Sequence, residues 1–206
     1  ISGTDLIVGA RSGSINLLLY SVFRMGDATN NISWDSYQQF AQHGLVKWAI
    51  PFSLGDSHRG YRVLGTNQDY FKHYRYANKQ NLALAQGKPF SHVYEAVLGY
   101  EVAQKLAYKI GQKIVIAHGA GKTSFTQHDD KPFTVVGILA PTGTPVDRTV
   151  HVPLAGIEAI HKDWVGGRKV AGLNLSAAEV LAKDLTPKAI TAFLVGLKSK
   201  IATFRV

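Results

Sequence analysis

The chain has 206 residues, 46% hydrophobic and 18% charged, with a net charge of +9 and a pI near 9.7. That composition fits one large globular domain or two small ones and excludes an extended disordered chain. The lack of any cysteine excludes disulfides, thiolate metal sites and cysteine nucleophiles, and it suits an oxidising compartment.

Asp5 to Ala10 reads as a first strand and Leu17 to Phe23 as a second, with Arg11-Ser12-Gly13-Ser14 as the turn between them. Ile15 to Phe23 is also the longest apolar run. Asn16 and Ser21 interrupt it, and it falls far short of the roughly 20 residues that cross a bilayer. Ser33 is the expected N-cap of a helix from Trp34 to Gln42, with Gly44 as its stop. Trp34, Tyr37, Phe40 and Ala41 share one face of it. Leu45 to Ser53 is a third strand, broken by Pro51. Gly55-Asp56 begins a turn, and Tyr61 to Gly65 is a fourth strand.

Gln68 to Tyr74 reads as a short helix and Asn81 to Pro89 as a loop or short strand. Ala96 to Gly99 is short and buried. A helix over Glu101 to Tyr108 and a strand over Lys113 to Ala117 follow. Gly119 to Lys131 is a polar excursion. The β-branched runs Phe133 to Leu139 and Thr149 to Val152 are strands, and Pro141, Gly143 and Pro145 fix a bend between them. Beyond Pro153, Gly156 to Lys162 forms a helical turn or two and Asp163 to Gly172 is turn-rich. Leu173 to Leu175 is expected to pair as a strand. Helices are expected over Leu175 to Lys183 and Pro187 to Ala189. A strand over Phe193 to Leu197 and a basic amphipathic ending close the chain. The irregular alternation favours an α+β class over a doubly wound sheet.

Few motifs carry chemistry. Gly121-Lys122-Thr123 follows a strand as a phosphate loop would, but Ile116 stands where that motif needs glycine, and Pro132 closes a polar stretch where a helix should begin. It reads as a hairpin tip. His118, His128, Asp129 and Asp130 are nitrogen and oxygen donors near facing strand ends, the weak candidates for a metal site. Asp56, Ser57 and His58 are adjacent, whereas a nucleophilic triad must converge in space. Gly9-Ala10-Arg11-Ser12-Gly13 has its serine one place late for a nucleophile elbow. A hydrolase acting through Ser57 or Ser12 is therefore a minor reading. The aromatic run Tyr70 to Tyr76 reads first as a helix that covers the core with Phe71 and Tyr74 while its cations face water, and second as a cradle for an apolar ligand. The cations are dispersed, with no polybasic block, which argues against nucleic acid and leaves a membrane surface open as a neighbour.

Six segments follow one another in a set order: Val63-Leu64-Gly65-Thr66-Asn67-Gln68-Asp69-Tyr70-Phe71; Leu84-Ala85-Gln86-Gly87-Lys88-Pro89-Phe90; Ala96-Val97-Leu98-Gly99 with Val102-Ala103-Gln104-Lys105-Leu106; Ile110-Gly111-Gln112-Lys113-Ile114; Phe133-Thr134-Val135-Val136-Gly137-Ile138-Leu139; and Val150-His151-Val152-Pro153-Leu154. In this order and spacing, over residues 63–154, they resemble the extracytoplasmic domain of MacB-type, FtsX-like ABC transporter permeases. The second usually reads Leu-x-x-Gly-Arg-x-Phe in that family.

The resemblance implies a two-lobed α+β domain. A porter-like βαβ lobe would come from residues 1–66 and 145–206, and a mostly-β sabre-like lobe would be inserted at 67–144. It implies an excised piece of a longer protein, which a chain opening on Ile1 suits, set between two transmembrane helices on the periplasmic side of the bacterial inner membrane. No catalytic residue and no cofactor are implied. ATP hydrolysis would lie on a separate ABC domain or chain, the permease would be a dimer, and an adaptor or lipoprotein would be a periplasmic partner. Pro141, Gly143, Pro145, Asp147 and Arg148 would form the return crossing between lobes, as a hinge or a partner contact. The alternative is a periplasmic module that binds a ligand or a metal through His118 and His128.

Overall fold

The computed structural model describes residues 3–11, 13–119, 130–162, 164–165, 168–169, 175–199 and 203. Its main strands are β1 (Leu6–Gly9), β2 (Val46–Phe52), β3 (Asp56–His58), β4 (Tyr61–Thr66), β5 (Leu84–Gly87), β6 (Glu95–Leu98), β7 (Lys113–Ile114), β8 (Ala117–His118), β9 (Phe133–Leu139), β10 (Thr149–Pro153) and β11 (Ala192–Leu197). The helices are α1 (Ser14–Ser21), α2 (Trp34–Ala41), α3 (Asp69–His73), α4 (Tyr100–Lys105), α5 (Leu154–His161) and α6 (Ala177–Leu181).

Two sheets carry the fold. The smaller is antiparallel, in the order β1-β11-β2. Pro51 is tolerated in β2 because that strand lies at the sheet edge, where a missing N–H breaks no central ladder. The larger sheet runs β7-β9-β6-β10-β4-β3-β8, with β5 also paired to β9. It is mixed: β9 lies parallel to β6 and β10 parallel to β4, while β10 and β6 are antiparallel. Backbone bonds between Ser53 and Gly65 join the two sheets at one corner.

Both faces of the large sheet are covered, so its central strands are apolar on successive residues. Val63, Leu98, Val135, Val150 and Val152 pack with Ile157 and Ile160 of α5 on one face. Leu64, Val97 and Leu139 pack with Phe52, Tyr70 and Tyr74 on the other. A third cluster lies under α2, where the Tyr37 and Phe40 rings each approach Phe193 edge-on at 5.2 Å. The Ser33 hydroxyl accepts from the Ser36 N–H at 3.2 Å, as expected of the N-cap. The helix α3 buries Tyr70, Tyr74 just beyond its end is also buried, and Phe71 is half-buried.

Three expected elements differ. Leu17 to Phe23 is not a strand. The helix α1 takes over from Ser14, burying Tyr20 and Ser21 and leaving Ile15, Leu18 and Leu19 exposed. Its apolar residues lie on both sides, so their spacing did not separate helix from strand, and leucine favours helix. The turn placed at Gly55-Asp56 begins later: Asp56–His58 is β3, and the hairpin turns at Arg59 and Gly60, with φ of 48° and 84°. Two positive φ values match a strand-reversing turn of the primed kind. Ala189 is not helical, because Ala189–Ile190 pairs antiparallel with Ile32–Ser33 and buries Ile190. Trp164–Val165 pairs with Arg168–Lys169 inside the turn-rich stretch, and Leu173 lies outside the described residues.

Leu98 is fully buried between β9 and β10. Leu98→Ala should lower the unfolding free energy by about 2–5 kcal/mol. Leu181→Ala, at a site 51% exposed, should change it by no more than about 0.5 kcal/mol, both read from urea melts.

Candidate functional site: the crossing from β9 to β10

The chain leaves β9 at Leu139 and enters β10 at Thr149. The crossing is tied to itself by one carboxylate. Asp147, 8% exposed, accepts the backbone N–H of Thr142 at 2.8 and 3.0 Å, that of Gly143 at 2.8 Å and the Thr142 hydroxyl at 2.8 Å. Gly143 turns with φ 67°, a conformation that costs a side chain. Thr144 caps a 3-10 turn over Pro145–Arg148, its hydroxyl accepting from the Val146 N–H at 3.3 Å. The Thr149 hydroxyl closes the unit onto the Pro145 carbonyl at 2.8 Å. Pro141 is exposed at its start.

Gly99 sets where this unit rests. A Cβ there would lie 2.3 Å from the Val146 carbonyl oxygen and 2.6 Å from the Asp147 carbonyl. Its N–H donates to the Thr149 carbonyl at 2.8 Å, and it is also the N-cap residue of α4. The crossing therefore lies directly on the start of α4. Arg148 points outward, its Nε 3.6 Å from Glu101 Oε1, which Lys105 also holds at 3.1 Å. Such exposed pairs contribute about 0–1 kcal/mol.

Within the join of β6 and β10, opposite Val97, His151 is fully buried and donates through Nδ1 to the Val97 carbonyl at 3.1 Å. Burial, and then the positive charge of Arg24, depress its pKa to about 3 against the opposing bond to Val97. His58 is depressed too, mainly by burial. Its Nδ1–H donates to the Val115 carbonyl at 2.6 Å, and Nε2 accepts from the Tyr108 hydroxyl at 2.9 Å. Both ring nitrogens are occupied, so His58 has none left to activate Ser57. Asp56 faces His161 at 3.5 Å instead. These three neighbours do not converge as a triad.

His118 ends β8, opposite Asp56 in the ladder. Asp130 pairs with the buried ammonium of Lys131 at 2.8 Å. His128, Asp129, Ser12 and the Gly121-Lys122-Thr123 triplet lie outside the described residues. Among the described residues, no three His, Asp or Glu side chains are placed to hold a metal ion, and no helix is long and apolar enough to cross a membrane.

A family model, the MacB-like periplasmic core domain, matches residues 3–193. The chain belongs to this family. Among solved structures, the periplasmic region of MacB from Actinobacillus actinomycetemcomitans aligns with a TM-score of 0.52 at 13% identity, over 97% of this chain and 78% of that one. The extracellular domain of the noncanonic ABC-type transporter YknZ from Gram-positive bacteria aligns with a TM-score of 0.52 at 11% identity, over 97% and 86%. At these identities the likeness is one of fold, and it is the two-subdomain α+β fold expected from the sequence. No curated protein matches the chain.

In this MacB-like domain four of the six segments that carried the resemblance become the central strands β4, β6, β9 and β10, and the other two form β5 and the edge strand β7. The role of Gly99 was not read from sequence, although a glycine between a buried strand and a helix is the signal for a close backbone approach. Arg24 carried no signal at all, since its setting depends on the strands and helices packed around it.

Gly99→Ala should force the crossing off α4 and cost about 1–3 kcal/mol in urea melts. The buried histidines make stability acid-sensitive. The folded pKa of His151 lies below its ordinary 6.5, so the unfolded chain takes up the proton first. Its contribution is complete above that value and is lost as pH falls toward about 3. His151→Gln should reduce the stability difference between pH 7.5 and pH 4.5 by on the order of 2 kcal/mol. His58 works in the same direction and leaves part of the slope in place.

Proposed function

We propose that this domain is a non-catalytic transmission element of an ABC transporter permease, moved by ATP hydrolysis on a separate cytoplasmic domain or chain. One observation carries the reading. The first and last main strands are partners, with Leu6 opposite Val195. The Asp5 N–H donates to the Val195 carbonyl at 2.9 Å, and the Asp5 carboxylate accepts from the Leu197 N–H at 2.7 Å. The chain thus enters and leaves side by side, so movement of two membrane helices would act on one end of one sheet. Membership in the MacB-like periplasmic core family supports a place on the periplasmic side of the inner membrane and a permease that works as a dimer.

In this proposal the lobes are residues 1–66 with 145–206, and 67–144, and the crossing from Pro141 to Arg148 is the hinge. A division at those points runs through the large sheet, because β6 and β9 fall on one side and β4 and β10 on the other. The motion is then a twist or shear of a shared sheet about the β6–β10 and β3–β8 ladders, not a free swing. The cargo would be an efflux substrate, a peptide or a lipoprotein, handed on by a periplasmic partner that favours one of the two positions.

The hinge and the transmission role are tested together in the full-length permease with its ATPase. Glu101→Cys and Arg148→Cys introduce two cysteines in a domain that otherwise lacks them. A short bis-methanethiosulfonate bridging them pins the crossing to α4. Transport and substrate-stimulated ATP turnover should fall at least fivefold and recover on reduction. Turnover and transport indifferent to a complete bridge would sink the role.

A further inference from the structure

Beside the crossing lies a cavity of about 700 Å³, within the roughly 300–1,000 Å³ of small-ligand sites. Four separate stretches wall it: the segment after α1, the β3–β4 turn with the start of β4, Glu101 of α4, and the crossing. Its lip is apolar, with Phe23 53% and Met25 60% exposed. Arg24, Arg62 and Arg148 are among its lining residues, the Arg24 guanidinium reaching inward as far as the Phe52 ring.

The acids nearby do not neutralise all three. Asp27 holds Arg62 at 2.8 Å and, with the Gly26 carbonyl, fixes its direction. Glu101 is shared between Lys105 and Arg148. Asp147 accepts from its own loop. Arg24 has no carboxylate within ion-pair distance among the described residues. It donates to the Ser21 carbonyl and lies 4.9 Å over the Phe52 ring, and its Nε is buried with no hydrogen-bond partner. Its backbone is left-handed, with φ 59°, which is uncommon for a residue with a side chain. A half-buried cation with no counter-charge is costly, and here it lines a cavity open to solvent.

We propose that this cleft binds a single-chain anionic amphiphile. A carboxylate or phosphate head sits in the unneutralised field of Arg24, with Arg62 and Arg148 as donors, and an apolar chain lies over Phe23 and Met25. Neither half suffices. The cations favour any anion, and the lip selects one that carries an apolar body. Binding here does not depend on the transmission role and is read on the 206-residue chain alone.

Calorimetric titration with laurate and with dodecyl phosphate, each below its micelle concentration, tests the site. Dodecyl maltoside supplies the same chain on an uncharged head, and acetate and inorganic phosphate supply the heads alone. Saturable one-to-one binding of laurate or dodecyl phosphate is expected, at least tenfold tighter than any of the three controls, and the tighter of the two identifies the head. Arg148→Gln and Phe23→Ser alter exposed side chains that the fold does not need, and each should weaken binding at least fivefold. Arg24→Gln, checked for an unchanged circular dichroism spectrum, should weaken it further. Equal binding of the maltoside, or full affinity in both Arg148→Gln and Phe23→Ser, overturns the proposal.

Discussion

The strand Thr149–Pro153 holds this molecule together. It lies parallel to Tyr61–Thr66 on one side and antiparallel to Glu95–Leu98 on the other. In the order of the large sheet it joins Glu95–Leu98 to the hairpin of residues 56–66, to which Ala117–His118 adds a second, shorter tie at the sheet's far end. Every non-local feature follows from its position. The crossing must deliver the chain to its first residue, α5 starts from its last, and His151 is buried because both neighbours and both faces are occupied. A parallel partner cannot be reached by a tight turn, so the chain must travel the whole of residues 67–148 before this strand can form.

That long excursion explains why the polar chemistry is concentrated at the crossing. A connection that runs over buried strands must satisfy its own backbone. Asp147 does this for Thr142 and Gly143, Thr144 for Val146, and Thr149 for Pro145. The unit is stiff within itself and rests on Gly99, where no side chain intervenes. The cavity beside it shares its wall, so an occupant would touch the same residues that set the relation between α4 and β10.

Much of the fold was legible from the chain. Ser33 with its amphipathic face predicted α2, and the β-branched run at Phe133–Leu139 predicted the longest central strand. The Pro-Gly-Pro punctuation predicted the bend after it. The failures have physical causes. Ile15 to Phe23 is apolar on all sides, so no period separated helix from strand, and the outcome depended on packing Tyr20 against Ile50 and Phe52. Ala189–Ile190 became a strand because Ile32–Ser33 lay across from it, a partner more than a hundred residues away. Asp56, Ser57 and His58 looked like one group when read as letters. On a strand they face alternate directions and find separate partners.

By itself, the amino-acid sequence determined the class of the protein: an α+β domain with buried, β-branched central strands, no cysteine chemistry, and the ordered segments of a MacB-like periplasmic core. These are properties of local pattern and composition, which survive without knowledge of neighbours. Only the tertiary structure decided that the first and last strands pair, that Thr149–Pro153 lies between strands from distant parts of the chain, that Gly99 supports the crossing and that Arg24 has no carboxylate partner among the described residues. Each of these is a relation between residues far apart in the chain, and burial and charge balance exist only once the chain has closed around them.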